Sequence, residues 1–141
     1  MNAVQRSGRP VIGLGEGGYA YFGQVPCGEQ DEASPIGYPN GAHGSSLQQF
    51  GVVSPTHPSL TGPRSVDTSS GNVIVTTSAM AYVTIFDPAV ELVGRTGPDH
   101  YVDVIDPSSA GSALWGFHGV PSDYTRDGWN ALANVINYLI D

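Results

Sequence analysis

The residues of this chain best suited to chemistry sit in a glycine-rich turn, Gly13-Leu14-Gly15-Glu16-Gly17-Gly18, and at a histidine far downstream, His118. The turn follows a short apolar run, Arg9 to Leu14, which is too short for a helix and reads as a buried strand. Glycines after a strand allow two kinds of site. One is a phosphate cradle, in which G-x-G-x-x-G lets backbone amides at a helix N-terminus approach a dinucleotide pyrophosphate. The other is a nucleophile elbow, a sharp strand-to-helix turn that lifts one side chain above the sheet and needs small residues around it. The cradle is disfavoured: Glu16 would set a carboxylate against the pyrophosphate, and the helix expected after the turn is short, Tyr19 to Phe22 closed by Gly23. The region about twenty residues on is also irregular, where a cradle needs a second strand ending in an acid.

His118 closes a predicted strand, Ala113 to His118. Histidine as a residue type can exchange a proton near neutrality, so this one can serve as a base or a ligand contact, or simply be satisfied by neighbouring backbone. Glu16 reads either as an acid/base or hydrogen-bonding group or as a solvated turn carboxylate. An elbow and a strand end converge at the carboxyl edge of an open parallel sheet. His118 and Glu16 are therefore the candidate catalytic residues, and Gly15, Glu16, Gly17, Gly18 and His118 the candidate ligand contacts. His43, His57 and His100, with Asp99 and Asp103, show no metal-ligand spacing, so no metal or cofactor is expected. Trp115, Trp129, Tyr19 and Tyr21 suit a carbohydrate or peptide pocket, although aromatics so placed more often fill a core.

The elements that must hold these residues follow from hydrophobic patterning. Asn2 to Ser7 reads as the tail of a helix ended by Gly8 and Pro10. Residues 25–71 are rich in Pro, Gly, Ser, Asn and His, with only Phe50 to Val53 resembling a strand, and form a long irregular insertion of the kind that carries functional or interface contacts. Strands are predicted over Asn72 to Ser78, Ala81 to Phe86, Val90 to Arg95, Tyr101 to Ile105 and Ala113 to His118, punctuated by Asp87-Pro88, Thr96 to Asp99 and Asp106 to Ser109. Trp129, Leu132, Val135, Ile136, Leu139 and Ile140 recur at helical steps, with Thr125 or Asp123 as N-cap. The pattern points to one α/β domain over residues 1–141.

Pro10 to Ala20 resembles the elbow of class I glutamine amidotransferase-like domains, including trehalose-utilisation-type relatives that have lost the nucleophile. In working members the elbow carries cysteine where this chain has Gly15, and glycine has no atom that attacks a carbonyl. Cys27 lies twelve residues later, off the elbow. Leu114-Trp115-Gly116-Phe117-His118 resembles the late strand that delivers the family's catalytic base, but the glutamate that orients this base two residues on is Val120 here. Pro121 to Trp129 resembles the segment entering the family's last helix, and Tyr38 to Gly44 is a looser match. The resemblance implies an open, mostly parallel, flavodoxin-like sheet flanked by helices. It also implies β/α units before the elbow that this chain lacks, so that Met1 is an internal start or another polypeptide completes the sheet.

Composition narrows the partners. With 40% hydrophobic residues, 141 residues suffice for a core. The net charge is −8, and the cations are only Arg6, Arg9, Arg64, Arg95 and Arg126. Phosphate-rich partners need clustered cations, so nucleic acid and anionic membrane are disfavoured. Apolar runs are far shorter than the roughly twenty residues of a membrane span, and no signal peptide is read at the start. A lone Cys27 forms no disulfide framework. Three functions remain open: a degenerate amidotransferase-like domain that binds a small molecule or a protein, a hydrolase in which His118 with Glu16 or Asp123 activates water, and a structural subunit of a homo-oligomer or of an assembly with a complementing polypeptide.

Overall fold

A computed structural model describes residues 3–24, 26–27, 32–38, 40–45, 47–76, 80–84, 87–108 and 110–141. A short α1 (Ala3–Arg6) leads to β1 (Val11–Leu14), which passes directly into α2 (Gly15–Gln24). A two-stranded ribbon, β2 (Pro26–Cys27) and β3 (Glu32–Ala33), precedes β4 (Gly41–Ser45), β5 (Gln49–Val52) and α3 (Pro58–Thr61). Then come β6 (Asn72–Ile74), β7 (Met80–Val83), β8 (Glu91–Gly97), β9 (His100–Asp106), β10 (Ser112–Trp115), a 3-10 turn at Pro121–Asp123 and α4 (Arg126–Ile140). No helix among the described residues is long and apolar enough to cross a membrane.

The fold is α/β with a mixed eight-stranded sheet, ordered β1-β10-β9-β8-β5-β6, with β7 joining β9 and β4 joining β7. Among the described residues only β1 and β10 pair in parallel, and the other pairings of this sheet are antiparallel. The mostly parallel, flavodoxin-like sheet that was expected is therefore not the sheet that forms. The reason lies in the connections. A parallel neighbour needs a crossover of about a dozen residues or more, whereas β8 to β9 turns over Pro98 and Asp99, and β9 to β10 over residues 107–111. The parallel pair is the one whose strands lie most of the chain apart.

Helices cover both faces. Leu114 points to the α2 side with Tyr19, Phe22, Val83 and Val104, while its neighbours Ala113 and Trp115 point to the α4 side. There the Trp115 ring packs on Phe117 and Phe50, with centroids 5.4 and 6.1 Å apart. α4 forms as its periodicity predicts. Of the two cap candidates Thr125 is the one used: its Oγ1 accepts the Gly128 N–H at 3.0 Å and donates to the Ile74 carbonyl, tying the helix start to the end of β6. A Cβ at Gly128 would stand 2.6 Å from the Val75 carbonyl oxygen, so glycine permits this close seat.

Residues 25–71 are more structured than their composition suggests. β4, β5 and α3 all arise within them, and β5 becomes internal to the sheet by pairing with both β6 and β8. α2 is also longer than the turn or two predicted, and begins at Gly15 itself. Its length is enough for a cradle helix, and the Glu16 carboxylate still counts against one. The predicted strand ends at Thr77, Ser78, Ile85 and Phe86 lie outside the described residues.

Candidate functional site

The strand-to-helix elbow is built as a sharp turn. Gly15 takes φ 52°, in the left-handed region that glycine enters without strain. A Cβ there would lie 2.7 Å from His118 Cβ and 3.0 Å from its Cδ2, so the imidazole occupies the space where an elbow side chain would project. Gly13 and Gly18 have another task. A Cβ on Gly18 would come within 2.2 Å of the Gly13 carbonyl carbon, and one on Gly13 within 2.6 Å of the Phe22 ring. These glycines let α2 lie directly on β1. Gly17 faces open space.

The structure thus brings Gly15 and His118 together. Glu16 follows Gly15 in the first helical turn, exposed, where a carboxylate favours the helix dipole. The amides of Gly15, Glu16 and Gly17 precede the first donor used inside α2, that of Gly18, so Gly18 is the weaker member of the expected cradle. His118 is half-buried, and its Nε2 is buried with no hydrogen-bond partner among the described residues. Val120, standing where the resemblance would place an orienting glutamate, is exposed. Its N–H donates to Asp123 Oδ2 at 3.1 Å, so Asp123 closes the turn after His118. Cys27 pairs with Glu32 in the β2–β3 ribbon, outside the main sheet and off the elbow.

Beside the elbow, on the α4 face, a cleft of about 320 Å³ is walled by Ile12, Leu14, Tyr124, Trp129, Leu132 and Ile136, with Gly119 joining it to His118. Trp129 belongs to this wall, whereas Tyr19 and Trp115 are core. The Trp115 indole N–H donates to the Tyr124 hydroxyl at 3.3 Å, and burial pushes the Tyr124 phenol up from its ordinary value. A shallower depression of about 400 Å³ at the far edge lies among Gln49, Asn72, Arg95 and Thr96.

The remaining histidines and acids go to separate places. Among the described residues no three His, Cys, Asp or Glu side chains are arranged to hold a metal ion. His100 stacks on Tyr82 with centroids 4.0 Å apart, and the His43 side chain lies outside the described residues. His57 is a structural cap. Its Nδ1 accepts the Ser59 N–H at 3.1 Å and lies 2.7 Å from Ser59 Oγ, which puts the ring proton on Nε2, 3.3 Å from Glu91 Oε2. Tyr138 of α4 donates to the other Glu91 oxygen at 3.1 Å. This network joins α3, β8 and α4, so His57→Ala is expected to lower stability by about 1–3 kcal/mol, read as a lower urea midpoint with unchanged slope.

One group emerges only in three dimensions. Asp103 of β9 is fully buried opposite Trp115 and Gly94, neither carboxylate oxygen has a partner among the described residues, and burial pushes its pKa up to about 8. The signal that marks it in the sequence is a lone acid inside the apolar run Tyr101-Val102-Asp103-Val104-Ile105. Comparison of the chain with family models, with curated proteins and with solved structures finds no match, so its function is argued from this geometry.

Proposed function

We propose that this chain is a non-catalytic binding domain resting on an amidotransferase-like elbow, with His118 and the first-turn amides of α2 as its ligand contacts. The observation that carries this reading is the packing of His118 on Gly15 at the apex of the elbow. His118, three residues past the end of β10, meets the strand-to-helix turn, and the position where the resemblance puts an attacking group is a glycine at positive φ. The buried Nε2 of His118, with no partner among the described residues, supplies a hydrogen-bonding group for a small polar ligand. L-Glutamine is the first probe. No ammonia release is expected, and amide resonances of Gly15, Glu16 and Gly17 should shift on its addition but not in His118→Ala. Ammonia release that disappears in Cys27→Ser would overturn the proposal, as would elbow amides indifferent to L-glutamine and to other small carboxamides.

Water activation by His118 with Glu16 is the second reading, favoured by the same Nε2, without a partner among the described residues, next to the helix turn that carries Glu16. General-base help of this kind is worth about 10²–10⁴ in rate. Hydrolysis of an activated acetate ester should then fall by about 10² or more in His118→Ala. A rate equal to that of the parent removes this reading.

A further inference from the structure

β1 forms one edge of the sheet, paired with β10 on one side and with no strand on the other among the described residues. The Val11 N–H donates to the Gly111 carbonyl at 3.2 Å. In a parallel ladder that phase turns Val11 and Gly13 toward β10 and leaves the backbone groups of Ile12 and Leu14 on the open side. α4 runs antiparallel to this edge: Trp129 shares the cleft wall with Leu14 at the end of β1, while Leu139 packs at Gly111 beside its start. One flank of the helix is bare. Trp129 is 46%, Ile136 43% and Ile140 66% exposed, and Leu14 at 48% continues the same apolar strip. An open strand edge beside an apolar strip is a combination that folded chains normally cover.

We propose that this edge pairs with the same edge of a second copy of the chain, β1 against β1 and α4 against α4, both antiparallel about one two-fold axis. The backbone pattern favours a copy of itself. With the axis at Ile12, the two Ile12 residues exchange both their hydrogen bonds, and each Leu14 N–H meets the Pro10 carbonyl of the other copy. Pro10 has no N–H to offer in return. The group that would have received it, the Leu14 carbonyl, precedes α2 and is already taken by the first bond of that helix. The two deficits fall opposite each other.

Charge complementarity points the same way. Ile12 shares the cleft with Leu132 and Ile136, so an axis at Ile12 also crosses the middle of α4. This helix spans about 22 Å at 1.5 Å per residue. Its only charged residues are Arg126 and Asp127 at the start, with Asp141 just past the end. Antiparallel packing of two α4 helices sets Arg126 of each copy beside Asp141 of the other and brings opposite ends of the helix dipoles together. The Arg126 side chain is 86% exposed, with Asp127 Oδ1 no closer than 3.9 Å. This inference stands independently of what His118 binds.

Sedimentation equilibrium of the purified chain across the micromolar range is expected to give a dimer of 14.7 kDa subunits. Ile136→Glu and Trp129→Glu replace exposed side chains, so both should keep the parent far-UV spectrum while raising the dimer dissociation constant about tenfold or more, as loss of a central apolar anchor does. Arg126→Glu and Asp141→Arg should each weaken the dimer, and the double reversal should restore it. General repulsion between two acidic copies predicts otherwise, namely that Asp141→Arg tightens association. A monomer throughout the range, a dimer indifferent to both Ile136→Glu and Trp129→Glu, or tightening by Asp141→Arg alone would each overturn the proposal.

Discussion

Asp103→Leu is expected to be several kcal/mol more stable than the parent at pH 8, with the difference narrowing as the pH falls toward 4. The buried carboxyl has a native pKa near 8 against an ordinary value of 3.8, so the folded chain holds a proton that the unfolded chain releases between those values. Stability from this group is complete below 3.8 and is lost as the pH rises through 8. Each pH unit between the two values corresponds to about 1.4 kcal/mol. Leucine keeps the γ-branched shape of the side chain and removes both the proton linkage and two oxygens that have no partner among the described residues. Urea unfolding of both proteins at several pH values measures the effect, and a difference that stays constant from pH 5 to pH 8 would show that Asp103 is ionised in the folded state.

The second large effect is at the elbow glycines. Gly18→Ala places a Cβ 2.2 Å from the carbonyl carbon and 2.4 Å from the Cα of Gly13, both backbone atoms that no rotamer change can move. α2 must lift from β1, at an expected cost of about 3 kcal/mol or more. Gly17→Ala, one residue earlier on the same helix, meets nothing and should gain up to about 1 kcal/mol from helix propensity. Gly15→Ala falls with the first: about 1–3 kcal/mol of backbone strain adds to collision with the His118 ring. Because alanine at 118 would keep the Cβ, the atom nearest the new methyl at 2.7 Å, the change that relieves the collision is His118→Gly, and Gly15→Ala/His118→Gly should lose less than its two single changes summed. Additivity in that cycle would mean that His118 and the elbow are not in contact. A Gly18→Ala protein as stable as its parent would be equally damaging to the elbow geometry.

Much of the site was legible because its determinants are local. A short apolar run into a glycine cluster dictates a strand and a sharp turn wherever the rest of the chain goes, and His118 at the end of another run was readable as a group facing it, although β10 stops at Trp115, three residues short of the predicted end. The apolar face of α4 and its Thr125 cap are likewise written within one stretch. Gly18 was legible as part of a motif but not as a packing residue, because the atom that excludes a side chain there belongs to Gly13 across the elbow. In the sequence His57 was notable only for lacking metal-ligand spacing. Its cap bond to the Ser59 N–H is local, whereas the tie from its Nε2 to Glu91 spans thirty-four residues.

By itself the sequence determined the elbow, the run of later strands, the closing helix and the absence of a nucleophile at residue 15, because each rests on neighbouring side chains and backbone preferences. Tertiary structure alone decided the direction in which the strands pair. It also decided that β5 sits inside the sheet while β1 lies at its edge, and that Asp103 is enclosed without a partner among the described residues. Those outcomes are settled by which distant segments share a ladder. The same short apolar strand satisfies a parallel or an antiparallel neighbour, and connection length and competition among all the strands for burial choose between them.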